Sequence, residues 1–76
     1  MKEVVNMTLI DAPELKELTI YEVNTNDDEL DAFLFSLGCY SGETITIINK
    51  QKNGCIVAIK DSRYHIDKKL ASAILV

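Results

Sequence analysis

The sequence predicts a mainly β fold: a small closed barrel of about five short strands, one capping α-helix over residues 27–37 and a short helical turn near the C-terminus. Three observations carry this prediction. Apolar residues keep helical spacing in one segment, TNDDELDAFLFSLG; after Gly42 the spacing changes to alternation; and the alternating segments are short and joined by turn-forming residues. A flat sheet of this size would leave exposed edges, so closure into a barrel is expected. A chain of 76 residues with 47% hydrophobic and 26% charged residues, 3 Gly and 1 Pro reads as one folded domain over 1–76, without room for an extended cleft.

The elements follow in order. MTLIDAPELKE, with Pro13 in its middle, suits a short strand and a turn, and LTIYEV (Leu18 to Val23) reads as a strand. In the helix, Leu30, Phe33, Leu34 and Leu37 fall at i, i+3, i+4 and i+7 and so form one apolar stripe. Asn26 is the expected N-cap, with Glu29 three positions on reaching back as in a capping box, and Asp27, Asp28 and Glu29 lie at the positive end of the helix dipole. Gly38 supplies the left-handed residue that stops the helix.

Gly42 then opens ETITIINK, a strand with Ile45 and Ile47 on one face and Thr44 and Thr46 on the other. Asn53-Gly54 is the turn signal before the returning strand CIVAIK. Asp61-Ser62 marks a second tight turn into RYHI, Asp67 caps the single turn DKKLASA, and AILV forms the last strand.

Charge excludes one class of partner. The net charge is −4, divided between ten acids and two lysines up to residue 49, for −8, and six bases and two acids from residue 50, for +4. Six bases spread along the last third of an acidic chain do not make a nucleic-acid face. The start, MKEVVNMTLIDAP, lacks the apolar core of a secretory signal, and no apolar run approaches the roughly 18 residues of a membrane span. Cys39 and Cys55 are too few for a disulfide framework. The expected compartment is the cytoplasm, without direct membrane insertion.

The ordered set of Met7-Thr8-Leu9, a helix ending in Leu37-Gly38, Gly42 four residues later opening a strand, the GCIVAIKDSRYHI run and the closing LASAILV resembles the ferrous iron transport protein A (FeoA) family of small SH3-like barrels. The match covers nearly the whole chain, with L-G-x-x-x-G at its centre. Two departures stand out: Cys39 and Ser41 replace residues that are commonly Leu and Pro in the family, and the helix is acidic where it is often basic. The resemblance implies a non-enzymatic adaptor that binds the cytosolic G-protein region of an FeoB-type transporter and modulates Fe(II) uptake, peripheral to the inner membrane through that partner. It also implies an alternative, a free-standing metal-sensing domain similar to the C-terminal module of diphtheria-toxin-repressor-like regulators.

The residues themselves offer few sites. Cys39, Cys55, His65 and Asp67, with Glu43, are the metal-ligand candidates, yet none forms a C-x-x-C or H-x-x-x-H pair, so no resident Fe(II) or other divalent cofactor is assigned and any metal binding is expected to be weak. Cys55 alternates with Val57 and Ile59 and reads as core, while His65 alternates with Tyr64 and Ile66 and reads as solvent-facing. No nucleophile stands at a fixed spacing from a base and no phosphate loop is present, so a catalytic constellation is not expected. Phe35 lies about 140° round the helix from Leu30, off the apolar stripe. With Leu37 and Tyr40 beside it, it is the candidate partner-binding anchor, while Asn26, Gly38 and Gly42 are the structural residues around it; Tyr21 shares the question of whether it is buried or presented.

Overall fold

The computed structural model describes residues 6–76, so the first five residues of the expected domain lie outside the described part. Six strands and two helices follow in the order β1 (Glu17–Thr19), β2 (Glu22–Val23), α1 (Asp28–Ser36), β3 (Thr44–Gln51), β4 (Gly54–Ile59), β5 (Ser62–Asp67), α2 (Lys68–Ala71) and β6 (Ile74–Leu75). They form a four-stranded antiparallel sheet in the order β1-β3-β4-β5 and a two-stranded sheet of β2 and β6. The mainly β class is as the alternation predicts. The expected single closed barrel of about five strands is not: the ladders stop between the two sheets.

The reason lies in LTIYEV. Instead of one strand, this segment bends at Ile20-Tyr21 and contributes β1 to one sheet and β2 to the other. The Ile20 N–H donates to the Glu43 carbonyl at 2.9 Å, and the Tyr21 N–H donates to the Leu75 carbonyl at 2.7 Å. Ile20 is buried at the corner while Tyr21 points out. The segment around Thr8 joins the far side of β6, through a bridge to Leu75 and through the Leu9 N–H on the Ile74 carbonyl.

Between the sheets the core is apolar throughout. Leu9, Ile20, Leu34, Ile45, Ile47, Val57, Ile59, Ile66 and Ile74 are its large members, with Ala12, Ala71 and both cysteines filling the smaller gaps, and among the described residues no polar side chain is buried. Strand alternation accounts for most of it. In β3 Ile45 and Ile47 face in, and in β4 Cys55, Val57 and Ile59 do. The β3–β4 register shifts between Ile47 and Asn49, where a bulge adds one residue to β3. Both turns sit one residue earlier than expected. Lys52-Asn53 link Gln51 to its partner Gly54, and Lys60-Asp61, with Lys60 at φ 56°, link Ile59 to Ser62. Asn53-Gly54 was the stronger turn pair on residue type, but Gly54 is needed inside the ladder. A Cβ there would stand 2.8 Å from the Asp67 Cα, against backbone that cannot give way.

The helix start also differs in its cap. Asp27, not Asn26, is the N-cap: its backbone is extended and its Oδ1 accepts the N–H groups of Glu29 and Leu30 at 2.9 and 3.2 Å. Asn26 takes the left-handed conformation just before it, at φ 62°, which an Asn tolerates better than most residues. Glu29 thus contributes its N–H in place of the expected back-reaching carboxylate. Asp31 holds the incoming loop, accepting the Thr25 hydroxyl at 2.6 Å and the Thr25 N–H at 3.0 Å, bonds that keep its carboxyl below the ordinary value. Of the expected stripe, Leu34 alone is fully buried; Leu30 and Leu37 are half-buried and Phe33 is exposed. A nine-residue helix laid on so small a body meets it through its last turn.

Asp67 caps α2 as expected, its Oδ1 accepting the Leu70 N–H at 2.8 Å. Both cysteines are free and belong to the core. Burial pushes the Cys39 thiol up to about 11; it also raises Cys55, with the charge of Lys50 partly opposing.

Three outcomes follow from these contacts. Gly54→Ala should lower stability in urea denaturation by more than about 2 kcal/mol, because the added methyl pushes β4 off β5. Asp27→Ala should cost about 1 kcal/mol by loss of the cap. At about pH 8, native Cys39 should react with iodoacetamide roughly a hundredfold more slowly than in the unfolded chain, since so little thiolate is present. The stabilisation from its neutral thiol is complete below the unfolded thiol's pKa and is lost as the pH rises through about 11.

Candidate functional site

The end of α1 builds the site. Leu37 is the C-cap, and Gly38 follows at φ 96°. The Gly38 N–H donates to the Phe35 carbonyl at 3.0 Å and the Cys39 N–H to the Leu34 carbonyl at 2.9 Å, the paired bonds of a Schellman motif. Leu34 and Cys39, which this motif brings together, are both buried. The chain direction is thereby fixed, so that Cys39 points in and Tyr40 emerges beside the helix. Gly42 then donates its N–H to the Ile20 carbonyl at 2.8 Å, tying the far end of the turn to the corner between the sheets.

This geometry sets Tyr40 against Phe35. Their ring centroids are 4.9 Å apart with planes tilted by 37°, and Phe35 remains 64% exposed, which answers the question its position off the stripe left open. Lys60, from the β4–β5 turn, donates through Nζ to the Tyr40 hydroxyl at 3.0 Å, and the same ammonium lies 5.5 Å from the Tyr40 ring centroid and 4.0 Å from Glu43 Oε1. Tyr40 first and Glu43 second hold the Lys60 ammonium above its ordinary pKa. Lys60 was not legible as a site residue; it follows the alternation of CIVAIK, and only the fold brings it back to Tyr40.

The aromatic pair stands as a ridge between two shallow clefts. One, of about 420 Å³, is bordered by Tyr21, Val23, Asp31 and Ser41. The other, of about 410 Å³, is bordered by Leu37, Ile59, Lys60 and Tyr64. Tyr21 is 56% exposed on the rim of the first, so it is presented to solvent. Two clefts flanking an aromatic ridge with one cation beside it can receive the side chains of a protein surface.

The metal-ligand candidates do not converge. Cys39 and Cys55 face the core, His65 is exposed on β5, Asp67 is engaged in capping α2, and Glu43 lies near Lys60. Among the described residues no three or more His, Cys, Asp or Glu side chains form a group that could hold a metal ion. No helix among those residues is long and apolar enough to cross a membrane.

A family model described as the FeoA domain matches residues 7–76. No curated protein matches the chain. Among solved structures, one described as iron uptake regulatory protein (FeoA) superposes with a TM-score of 0.83 at 19% identity, over 93% of this chain and 95% of that one. A manganese-dependent transcriptional repressor gives 0.84 at 16% identity, over 93% of this chain and 40% of the repressor, and the IdeR of T. acidophilum gives 0.82 at 20% identity, over 99% and 35%. This chain therefore spans about 35 to 40% of the length of those two proteins, and it shares its fold with one part of each. With the family model matched along all but the first six residues, and the fold of an FeoA structure reproduced end to end, the chain belongs to the FeoA domain family.

Proposed function

We propose that this FeoA domain is a non-catalytic accessory protein of ferrous iron transport, acting in the cytoplasm by docking on the G-protein region of an FeoB-type transporter and modulating Fe(II) uptake. One observation supports it most: at the end of α1, Phe35 is 64% exposed and packs on a half-buried Tyr40 as an aromatic ridge. Exposing a Phe costs solubility, and anchors of this kind carry a large share of the energy in protein interfaces. Leu37 and Tyr21 would complete the contact. Under this reading Fe(II) is the transporter's cargo, and any direct binding by this domain is weak.

A second reading, a free-standing metal-sensing domain, draws on the fold shared with parts of the manganese-dependent repressor and IdeR. It would need His65, Asp67 or Glu43 to act as ligands, and these residues are dispersed over β5 and the turn before β3.

Calorimetric titration of the chain with the GTP-binding region of an FeoB-type transporter from the same cell separates these readings. Binding weakened about thirtyfold by Phe35→Ala, close to 2 kcal/mol, is expected for an interface anchor. Phe33→Ala, which removes an exposed aromatic from the other side of α1, should leave the affinity within about twofold. Unchanged binding by the Phe35 variant would remove the anchor. Absence of binding, together with stoichiometric heat on anaerobic addition of Fe(II) or Mn(II), would favour the sensor.

A further inference from the structure

β5 ends the four-stranded sheet: β4 pairs with one side of it, and among the described residues no strand meets the other. It is also the longer of that sheet's two edges. β1, at the opposite end, has three residues, whereas β5 has six, Ser62–Asp67, with neither Pro nor Lys to block pairing. Arg63 and Asp67 place opposite charges towards its two ends, on the exposed face they share with His65.

The phase of the β4–β5 ladder decides which backbone groups point away from it. The Lys68 N–H donates to the Asn53 carbonyl at 3.0 Å, one residue beyond the Gly54↔Asp67 pair. In an antiparallel ladder bonded pairs recur at every second residue, so Ser62, Tyr64 and Ile66 bond to β4, and the N–H groups of Arg63, His65 and Asp67 turn to the open edge. The Arg63 and His65 carbonyls point the same way. That of Asp67, the N-cap of α2, takes the first bond of the helix instead.

We propose that β5 pairs with β5 of a second copy of this chain, antiparallel across a two-fold axis at His65. In this register Arg63 of each copy faces Asp67 of the other on the exposed face of the sheet. Asp67 caps α2 through Oδ1, which leaves Oδ2 for the arginine. Each His65 N–H donates to the other His65 carbonyl, and each Asp67 N–H donates to the other Arg63 carbonyl. The strand is its own complement in this register alone. Sliding by two residues sets Asp67 against Asp61 or Arg63 against Lys69, and sliding by one mismatches the two faces. Two such edges bury less than the roughly 1,200 Å² of a stable interface, so the dimer is weak, with a Kd on the order of 10⁻⁴ M.

The test is sedimentation equilibrium of the full chain between about 10 µM and about 1 mM, with amide hydrogen exchange at both concentrations. A reversible dimer is expected, with exchange at His65 and Asp67 roughly fourfold slower at the higher concentration and unchanged at Arg63, whose N–H faces the committed Asp67 carbonyl. Arg63→Glu, at an exposed position where folding should be retained, should weaken the dimer at least about tenfold, since the two-fold axis repeats the repulsion. Asp67→Asn, which keeps a capping residue, should weaken it about threefold, and Phe35→Ala should leave it within about twofold. A chain that stays monomeric throughout, association that leaves the His65 and Asp67 amides unprotected, or a dimer unaltered by Arg63→Glu would overturn the proposal. So would protection of these amides by the GTP-binding region of an FeoB-type transporter while the chain alone is monomeric, a result that assigns the edge to a strand of another protein.

Discussion

Two neighbouring amides hold the architecture together. The N–H groups of Ile20 and Tyr21 donate to carbonyls in different sheets, Glu43 ahead of β3 and Leu75 in β6, so one short segment fastens both layers. A chain this small cannot afford a buried polar group without a partner, because its core has little apolar surface with which to offset the loss. Bending at Ile20 satisfies both amides and sinks the Ile20 side chain into the space between the layers. The same corner accepts the Gly42 N–H through the Ile20 carbonyl, so the placement of the turn after α1, and with it the aromatic ridge, depends on how that segment bends.

The most prominent surface feature of this scaffold lies where helix and sheet meet. The Schellman bonds at Gly38 decide which of two consecutive side chains goes in: Cys39 enters the core and Tyr40 is left to pack on Phe35. The same fold occurs in an FeoA structure and in one part of a manganese-dependent transcriptional repressor. The most prominent surface feature of this member is the exposed Phe35 packed on Tyr40, and among the described residues no three His, Cys, Asp or Glu side chains gather into a group that could hold a metal ion.

Much of this was legible beforehand, and the failures have a common physical origin. The β3–β4 hairpin and the caps at Gly38 and Asp67 each follow from local periodicity or a single capping residue, and each is present, whereas the position of Phe35 off the stripe left open whether the body would cover it. Phe33 and the bend at Ile20-Tyr21 were misread because they depend on what lies across the core, which no local pattern encodes. The cap moved from Asn26 to Asp27 because two adjacent residue types suit both roles, and the left-handed position went to the Asn. Gly54 misled for a similar reason: a glycine beside an Asn signals a turn, but here it marks a close approach of strands. Lys60 and Lys50 acquire their neighbours only through the return of distant segments.

The bulge in β3 has a consequence for how this chain tolerates changes in length. One residue is extra to the ladder between Ile47 and Asn49. Removing Ile48 would leave Ile47 opposite Val57, Asn49 opposite Ile56 and Lys50 opposite Cys55, the pairs already present. Ile48 is therefore a position where a deletion in a related gene would be silent in register, altering neither the alternation of the core nor anything downstream. Alignments of such small domains should place a gap there rather than in the hairpin turn, where a loss of one residue would move every following side chain to the opposite face.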